Sequence, residues 1–212
     1  MGQEYFETRL KRDPNETKVW KAIVDHLQSN YFNKTIETSL DLGCGYGDFS
    51  RHIQANKRIA IDLEDVSAYQ SEKVEFKQCS VSDLRNQLNE QVDLVFSSNL
   101  LEHLSREAGH ELFEDIKATL KPNGLLVLLQ PNFRFCFRNY FDDYTHQTIY
   151  TDQGLSGMVE SHGFQLKVVR PRYLPFSMRG NLLPKTYWLT RLYLELGSPI
   201  LGAQMLVVAS KA

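Results

Sequence analysis

Apolar residues recur along this chain with two different periods. After Pro14 and Asn15, residues Val19, Trp20, Ile23, Val24 and Leu27 fall on one side of a helix, which predicts an amphipathic helix from Glu16 to Ser29. Short apolar runs of strand length then follow at Thr38–Leu42, Arg58–Leu63, Val74–Cys79, Val92–Asn99, Leu125–Gln130, Phe164–Val169 and Gln204–Ser210. Between them lie helical patterns at Phe49–Ile53, at Glu107–Leu120 with Leu112, Phe113, Ile116 and Leu120 as its stripe, and at Gly154–His162, closed by Gly163. Lys121, Pro122, Asn123 and Gly124 read as a turn, because proline ends a helix and Asn-Gly tolerates left-handed backbone. Strands alternating with helices predict an α/β sheet, and the unbroken apolar run Leu125–Gln130 predicts a strand covered on both faces.

Two stretches break this pattern. From Pro131 to Tyr150, seven Phe or Tyr rings and two arginines are interspersed in a connection too long to be routine, and such connections commonly carry function. From Pro171 to Pro199, Leu182, Leu183, Trp188, Leu189, Leu192 and Leu196 recur near helical spacing, flanked by Arg179, Lys185 and Arg191. That stripe fits a core-facing or dimer-forming helix, or a helix lying on a membrane surface or gripping a lipid-linked acceptor.

The chemistry concentrates in residues 38–49, where a strand ends in Asp41-Leu42 and Gly43, Gly45 and Gly47 alternate before a helix start. Glycine admits positive φ and lets backbone approach a ligand with no Cβ between them. The spacing is not that of a dinucleotide fingerprint, whose third glycine falls later, and no Lys followed by Ser or Thr marks a phosphate loop. Asp41 and Asp48 bracket the turn with negative charge, which suits a cationic ligand better than a diphosphate. About 20 residues further on, Asp62 ends the next strand at the offset where Rossmann-type folds place a ribose acceptor.

The run Asp41-Leu42-Gly43-Cys44-Gly45-Tyr46-Gly47 resembles motif I of the class I S-adenosylmethionine (SAM)-dependent methyltransferases. Ser82-Asp83-Leu84 and Leu101-Glu102-His103-Leu104 match later blocks of that family. The resemblance covers residues 38 to 210. It implies a Rossmann-like, doubly wound sheet of seven strands, mostly parallel with the last antiparallel, and helices on both faces. It implies one domain over residues 1–212, with an N-terminal helical cap at 1–36 and a helical insertion at 171–199. It also implies SAM as cofactor, held by Asp41, Gly43, Cys44, Gly45, Gly47, Asp62, Leu63, Ser82, Asp83, Ser97 and Ser98. In-line methyl transfer needs a base only where the nucleophile must lose a proton; His146 is the candidate, with Tyr144 and His103 behind it. Glu102 and His103 are a metal pair by residue type. Adjacent helical residues point about 100° apart, however, and Asn99 stands where a Glu-x-x-Glu-His motif would begin, so no metal is assigned.

Composition narrows the partners. A formal charge of −2 leaves no basic footprint for nucleic acid, so the expected acceptor is a small molecule, including one linked to lipid or sugar, with peripheral membrane contact as part of that picture. The three cysteines are widely spread and form no metal spacing, which fits a reducing, cytoplasmic setting. A polar, acidic beginning without an apolar h-region is not a signal peptide. A monomer or a homodimer is expected. The rival readings are a non-catalytic SAM-binding or protein-interaction module, and a nicotinamide oxidoreductase of the same fold.

Overall fold

The computed structural model describes residues 13, 15–32, 34–175, 185–197 and 202–212. Seven strands form one sheet: β1 (Ile36–Leu42), β2 (Ala55–Asp62), β3 (Glu75–Gln78), β4 (Val92–Ser98), β5 (Leu120–Pro131), β6 (Phe164–Pro175) and β7 (Gly202–Lys211). Their order is β3-β2-β1-β4-β5-β7-β6. Neighbours from β3 through β5 pair in parallel, whereas β7 runs antiparallel to both β5 and β6. The predicted seven-stranded sheet with an antiparallel last strand is the one observed.

The period of two along each strand sorts the core into two layers. Leu126 and Leu128 of β5, with Met205, Val207 and Ala209 of β7, meet α4 (Arg106–Thr119) and α6 (Asp152–Ser161) through Leu112, Phe113, Ile116, Leu155 and Val159. Val127 and Leu129, with Leu206 and Val208, face the opposite way onto α1 (Glu16–Tyr31) through Val19, Ile23 and Leu27. A short α2 (Asp48–His52) adds Phe49 to this second layer, and Phe49 stacks on Phe96 of β4 at 3.8 Å with Trp20 edge-on to the same ring. The chain passes from β2 to β3 through a 3-10 turn at Ser67–Tyr69, and α3 (Leu84–Gln87) follows β3. Beyond β5 lies the four-residue α5 (Phe133–Cys136).

Three expectations need correction. The Lys121–Gly124 turn is absorbed into β5 as an irregularity: Leu120 already pairs with Val92, residues 121–124 are left unpaired with Asn123 at φ 58°, and pairing resumes at Leu94 and Leu125. β6 runs to Pro175, six residues past its expected end, because its later residues follow β7 through two irregularities in register. The third correction concerns α7 (Tyr187–Glu195). It is fastened to α1 by Tyr187 Oη donating to Asp25 at 2.8 Å and by Lys185 pairing with Asp13 and Glu16. Only Leu194 of this helix is buried. Trp188 (79% exposed), Leu189, Leu192 and Leu196 (69%) lie on the surface, so the described part of the stripe does not face its own core. Leu182 and Leu183 lie outside the described residues, as do Arg179 and the first dozen residues of the expected N-terminal cap.

The stacked Phe49–Phe96 pair in the layer beneath α1 gives a direct test of that packing. Phe96→Ala is expected to cost about 3–5 kcal/mol, the range for truncating a buried aromatic ring, in urea unfolding followed by tryptophan fluorescence. A loss below about 1 kcal/mol would contradict the packing.

Candidate functional site

The carboxyl ends of β1, β2 and β4 meet at the glycine turn. Gly43, Gly45 and Gly47 have φ of 68°, 50° and 68°, a run that other residues would strain to adopt. Gly43 and Cys44 donate their amides to Ile61 of β2, and Gly45 donates to Asp62 Oδ2 at 2.8 Å. A Cβ on Gly45 would meet no heavy atom within 4 Å, so the turn opens to one side there. A Cβ on Gly43 would lie 3.1 Å from Leu100, which brings the segment after β4 against the turn.

Asp62 does more than end a strand. Its other oxygen accepts from the Glu64 amide at 3.1 Å, and the carboxyl is 8% exposed at the lip of the turn. Burial raises its pKa, while the Gly45 and Glu64 amides pull it down. Leu63, next in sequence, is half exposed. Asp83 stands exposed with no capping bond, because Ser80 performs that task by accepting from Ser82 N. Ser97 is buried, its hydroxyl bonded to the Leu42 carbonyl, and Ser98 lies at the strand end beside Asn99. The Cys44 thiol is buried, which pushes its pKa well up.

Asp41 differs from its expected role. It is buried beneath the turn, accepts from Ser50 Oγ at 2.9 Å, and burial pushes its carboxyl up to about 7. It is therefore not a full surface charge facing a ligand at neutral pH. Asp48, the other bracket, accepts from Thr17 Oγ1 of α1.

The second cluster joins the 3-10 turn Leu101–His103 to the loop 143–148. Gln147 N and Thr148 N both donate to the Glu102 carbonyl, Gln147 Nε2 donates to the His103 carbonyl, and Thr148 Oγ1 to that of Leu104. These bonds bring His146 to His103, with ring centroids 4.9 Å apart, and place ligand atoms of Glu102, His103 and His146 within 4.8 Å of one another. Adjacency did not separate Glu102 from His103 as a helical spacing would, since one tight turn carries both. Burial and His146 push the His103 pKa down to about 4, and burial pushes Glu102 up to about 8. Tyr144 is 76% exposed and is not drawn into this cluster.

Several participants had no sequence signal. Gln70 donates from Nε2 to the Gly45 carbonyl at 3.0 Å, and a Cβ on Gly47 would collide with its side chain at 2.0 Å. Gln130, at the carboxyl end of β5, is fully buried with neither amide atom bonded. Asn99 takes φ 51° where β4 ends and accepts from Gln204 of β7. Lone polar residues of this kind stand in no period and no motif.

A parallel sheet reversed by one inserted antiparallel strand, with a glycine turn facing an acidic strand end, defines the architecture of a class I methyltransferase. A family model described as a methyltransferase domain matches residues 14–168, and the chain belongs to that family. This agrees with the SAM-dependent methyltransferase class read from the sequence and sets aside the nicotinamide alternative. Among solved structures, a SAM-dependent methyltransferase from Archaeoglobus fulgidus shares the fold with a TM-score of 0.71 and 20% identity, over 99% of this chain and 100% of that one. The N-methyltransferase NodS of Bradyrhizobium japonicum, solved with S-adenosyl-l-homocysteine, aligns with a TM-score of 0.60 and 13% identity over 96% of this chain and 91% of that one. Among curated proteins, cyclopropane-fatty-acyl-phospholipid synthase of Escherichia coli is 27% identical over 95 residues, 42% of this chain and 25% of that enzyme. The match thus spans only a quarter of that relative's length.

The shifted groups make stability depend on pH. Asp41 and Glu102 hold protons in the folded state that the unfolded chain releases, so each contributes less stability as pH rises toward its folded pKa. His103 acts in the opposite sense, but only below its unfolded pKa of about 6.5. Between pH 6.5 and 8 the melting temperature of the metal-free protein is therefore expected to fall, and Glu102→Gln to flatten the slope. Thermal melts at fixed ionic strength check this, and a flat wild-type profile would contradict it.

Proposed function

We propose that this methyltransferase binds SAM at the Gly43–Gly47 turn and transfers its methyl group to a hydroxyl-bearing small molecule carried on a lipid or sugar. The observation that carries the cofactor reading is the left-handed glycine run tied by Gly45 N to Asp62 at the end of β2. Asp62 takes the ribose hydroxyls, half-exposed Leu63 lies along the adenine, and Asp83, without a capping bond, accepts from the adenine amino group. Ser82 stands beside Asp83, and Cys44, Ser97 and Ser98 line the inner side. Asp41, about half protonated near neutral pH, braces the turn through Ser50.

The proton of the acceptor goes to the cluster beyond β4. A carbonyl can only accept, so His146 Nδ1, 2.6 Å from the Tyr140 carbonyl, carries the proton there and Nε2 carries the lone pair. His146 is thus built as a proton acceptor, with His103 beside it, and exposed Tyr144 serves as a contact for the acceptor. Most of the rate would come from aligning the nucleophile with the sulfonium methyl.

The surface of α7 supports an acceptor with a lipid portion. Trp188, Leu189, Leu192 and Leu196 form an apolar patch on one short helix, and the curated relative is named for action on a phospholipid. Among the described residues no helix is long and apolar enough to cross a membrane, so the contact proposed is peripheral. The three thiols form no disulfide, in keeping with a cytoplasmic setting.

Asp62→Ala is expected to weaken SAM binding by about 1.5–3 kcal/mol in calorimetry, the range for a hydrogen bond to a charged group. Asp62→Asn should lose less, since its carbonyl oxygen can still accept from Gly45 N. Unchanged affinity in a folded Asp62→Ala protein would move the cofactor elsewhere. For α7, the wild type is expected to sediment with vesicles containing phosphatidylglycerol, and Leu192→Asp to stay folded but remain in the supernatant. Because Lys185 and Arg191 are already paired with Asp13, Glu16 and Glu195, raising the salt concentration should change this little. Failure of the wild type to sediment would remove the lipid surface from the proposal.

A further inference from the structure

We propose that Glu102, His103 and His146 bind one divalent transition-metal ion of the zinc, cobalt or nickel kind beside the methyl-transfer site. The first observation is convergence: three side chains from two loops bring one ligand atom each within 4.8 Å of one another. Metal–nitrogen and metal–oxygen bonds of about 2.0–2.2 Å set neighbouring ligands roughly 3–3.5 Å apart, so an ion would draw the three inward by about 1 Å.

The second observation is an orphaned atom. Glu102 is 1% exposed, and its Oε2 is buried with no hydrogen-bond partner among the described residues. A proton alone would not resolve this, because a protonated carboxyl on that oxygen is a donor that itself needs an acceptor. A cation satisfies the oxygen without adding a donor.

The third observation is how the two rings are oriented. His146 donates from Nδ1 to the Tyr140 carbonyl. Thr145 Oγ1 gives its hydrogen to Asp143 at 2.6 Å, so against His103 Nδ1, 2.9 Å away, it accepts. Both rings therefore carry N–H at Nδ1 and the lone pair at Nε2, the state a metal ligand requires, and each is steered by a carbonyl or by a hydroxyl–carboxylate pair behind it. Two imidazoles and one carboxylate suit zinc, cobalt, nickel or iron(II) rather than magnesium or calcium, and three protein ligands leave coordination positions open.

The consequence for chemistry rests on the methyl-transfer reading, whereas ion binding does not. Leu100 packs against Gly43, so the cluster begins two residues from the turn assigned to the cofactor. An acceptor hydroxyl on an open position would have its pKa lowered and release its proton to solvent. Its oxygen then forms the bond to the methyl carbon as the carbon–sulfur bond breaks, and the electron pair of that bond stays on sulfur, leaving a neutral thioether. His103 and His146 would act as ligands, and the ion would take over the activation assigned to the imidazole.

The test uses untagged full chain stripped with chelator and titrated with Co2+. One equivalent per chain is expected, with visible ligand-field absorption that Zn2+ abolishes on displacement. Glu102→Gln and His146→Asn should each weaken cobalt binding at least tenfold while melting cooperatively and binding SAM within twofold of wild type. Absence of the cobalt spectrum, or equal cobalt affinity in the wild type and both variants, would overturn the site. SAM calorimetry on the same wild-type sample separates the two readings: cobalt bound without SAM sinks the methyltransferase assignment alone, and SAM bound without cobalt sinks the metal alone.

Discussion

The bond from Gly45 N to the Asp62 carboxylate joins two requirements that would otherwise compete. A turn wide enough to admit a ligand leaves backbone amides without partners, and an acidic strand end without partners is costly to bury. Bringing one to the other at 2.8 Å answers both, and it fixes where β1 and β2 end relative to each other. The three left-handed glycines follow from this constraint, because only such a run folds the chain back over the neighbouring strand. The carboxylate proposed to take the ribose and the opening beside Gly45 are then set by one local arrangement.

Most of the sheet was legible in the sequence because its inner strands are buried on both faces. Leu126 to Leu129 and Met205 to Ala209 are apolar at every position, and neither helix spacing nor solvent exposure suits such runs. Legibility failed where local and tertiary preferences disagreed. Pro122, Asn123 and Gly124 carry no strand pairing, and Asn123 takes the left-handed φ that its turn reading expects, yet pairing of Leu120 with Val92 starts β5 ahead of them. α7 read as a helix correctly, but periodicity cannot say whether an apolar side meets a core or the outside.

The site divides in the same way. Gly43, Gly45, Gly47 and Asp62 form a motif at fixed spacing, so sequence was enough to nominate them. Glu102 and His146 lie more than forty residues apart and meet only because backbone amides at Gln147 and Thr148 fasten the second loop to the Glu102 carbonyl. Backbone bonds leave no imprint on residue identity. For the same reason Gln70, which braces the Gly45 carbonyl, and Gln130, buried unpaired at the end of β5, were invisible before the fold was known.

The position of β7 has a consequence for how the molecule is made. It follows β6 in the chain but lies between β5 and β6, and among the described strands β6 pairs with β7 alone. During synthesis β5 is therefore completed with one bare edge, and β6 emerges with nothing to pair with, until residues 202–211 leave the ribosome. An unpaired apolar edge is a template for pairing with another chain. Polar and charged residues at Gln165, Lys167, Arg170 and Arg172 keep β6 compatible with water during that wait. β5 has no such cover, and the nascent chain is most open to misassociation in the interval between its exit and that of β7.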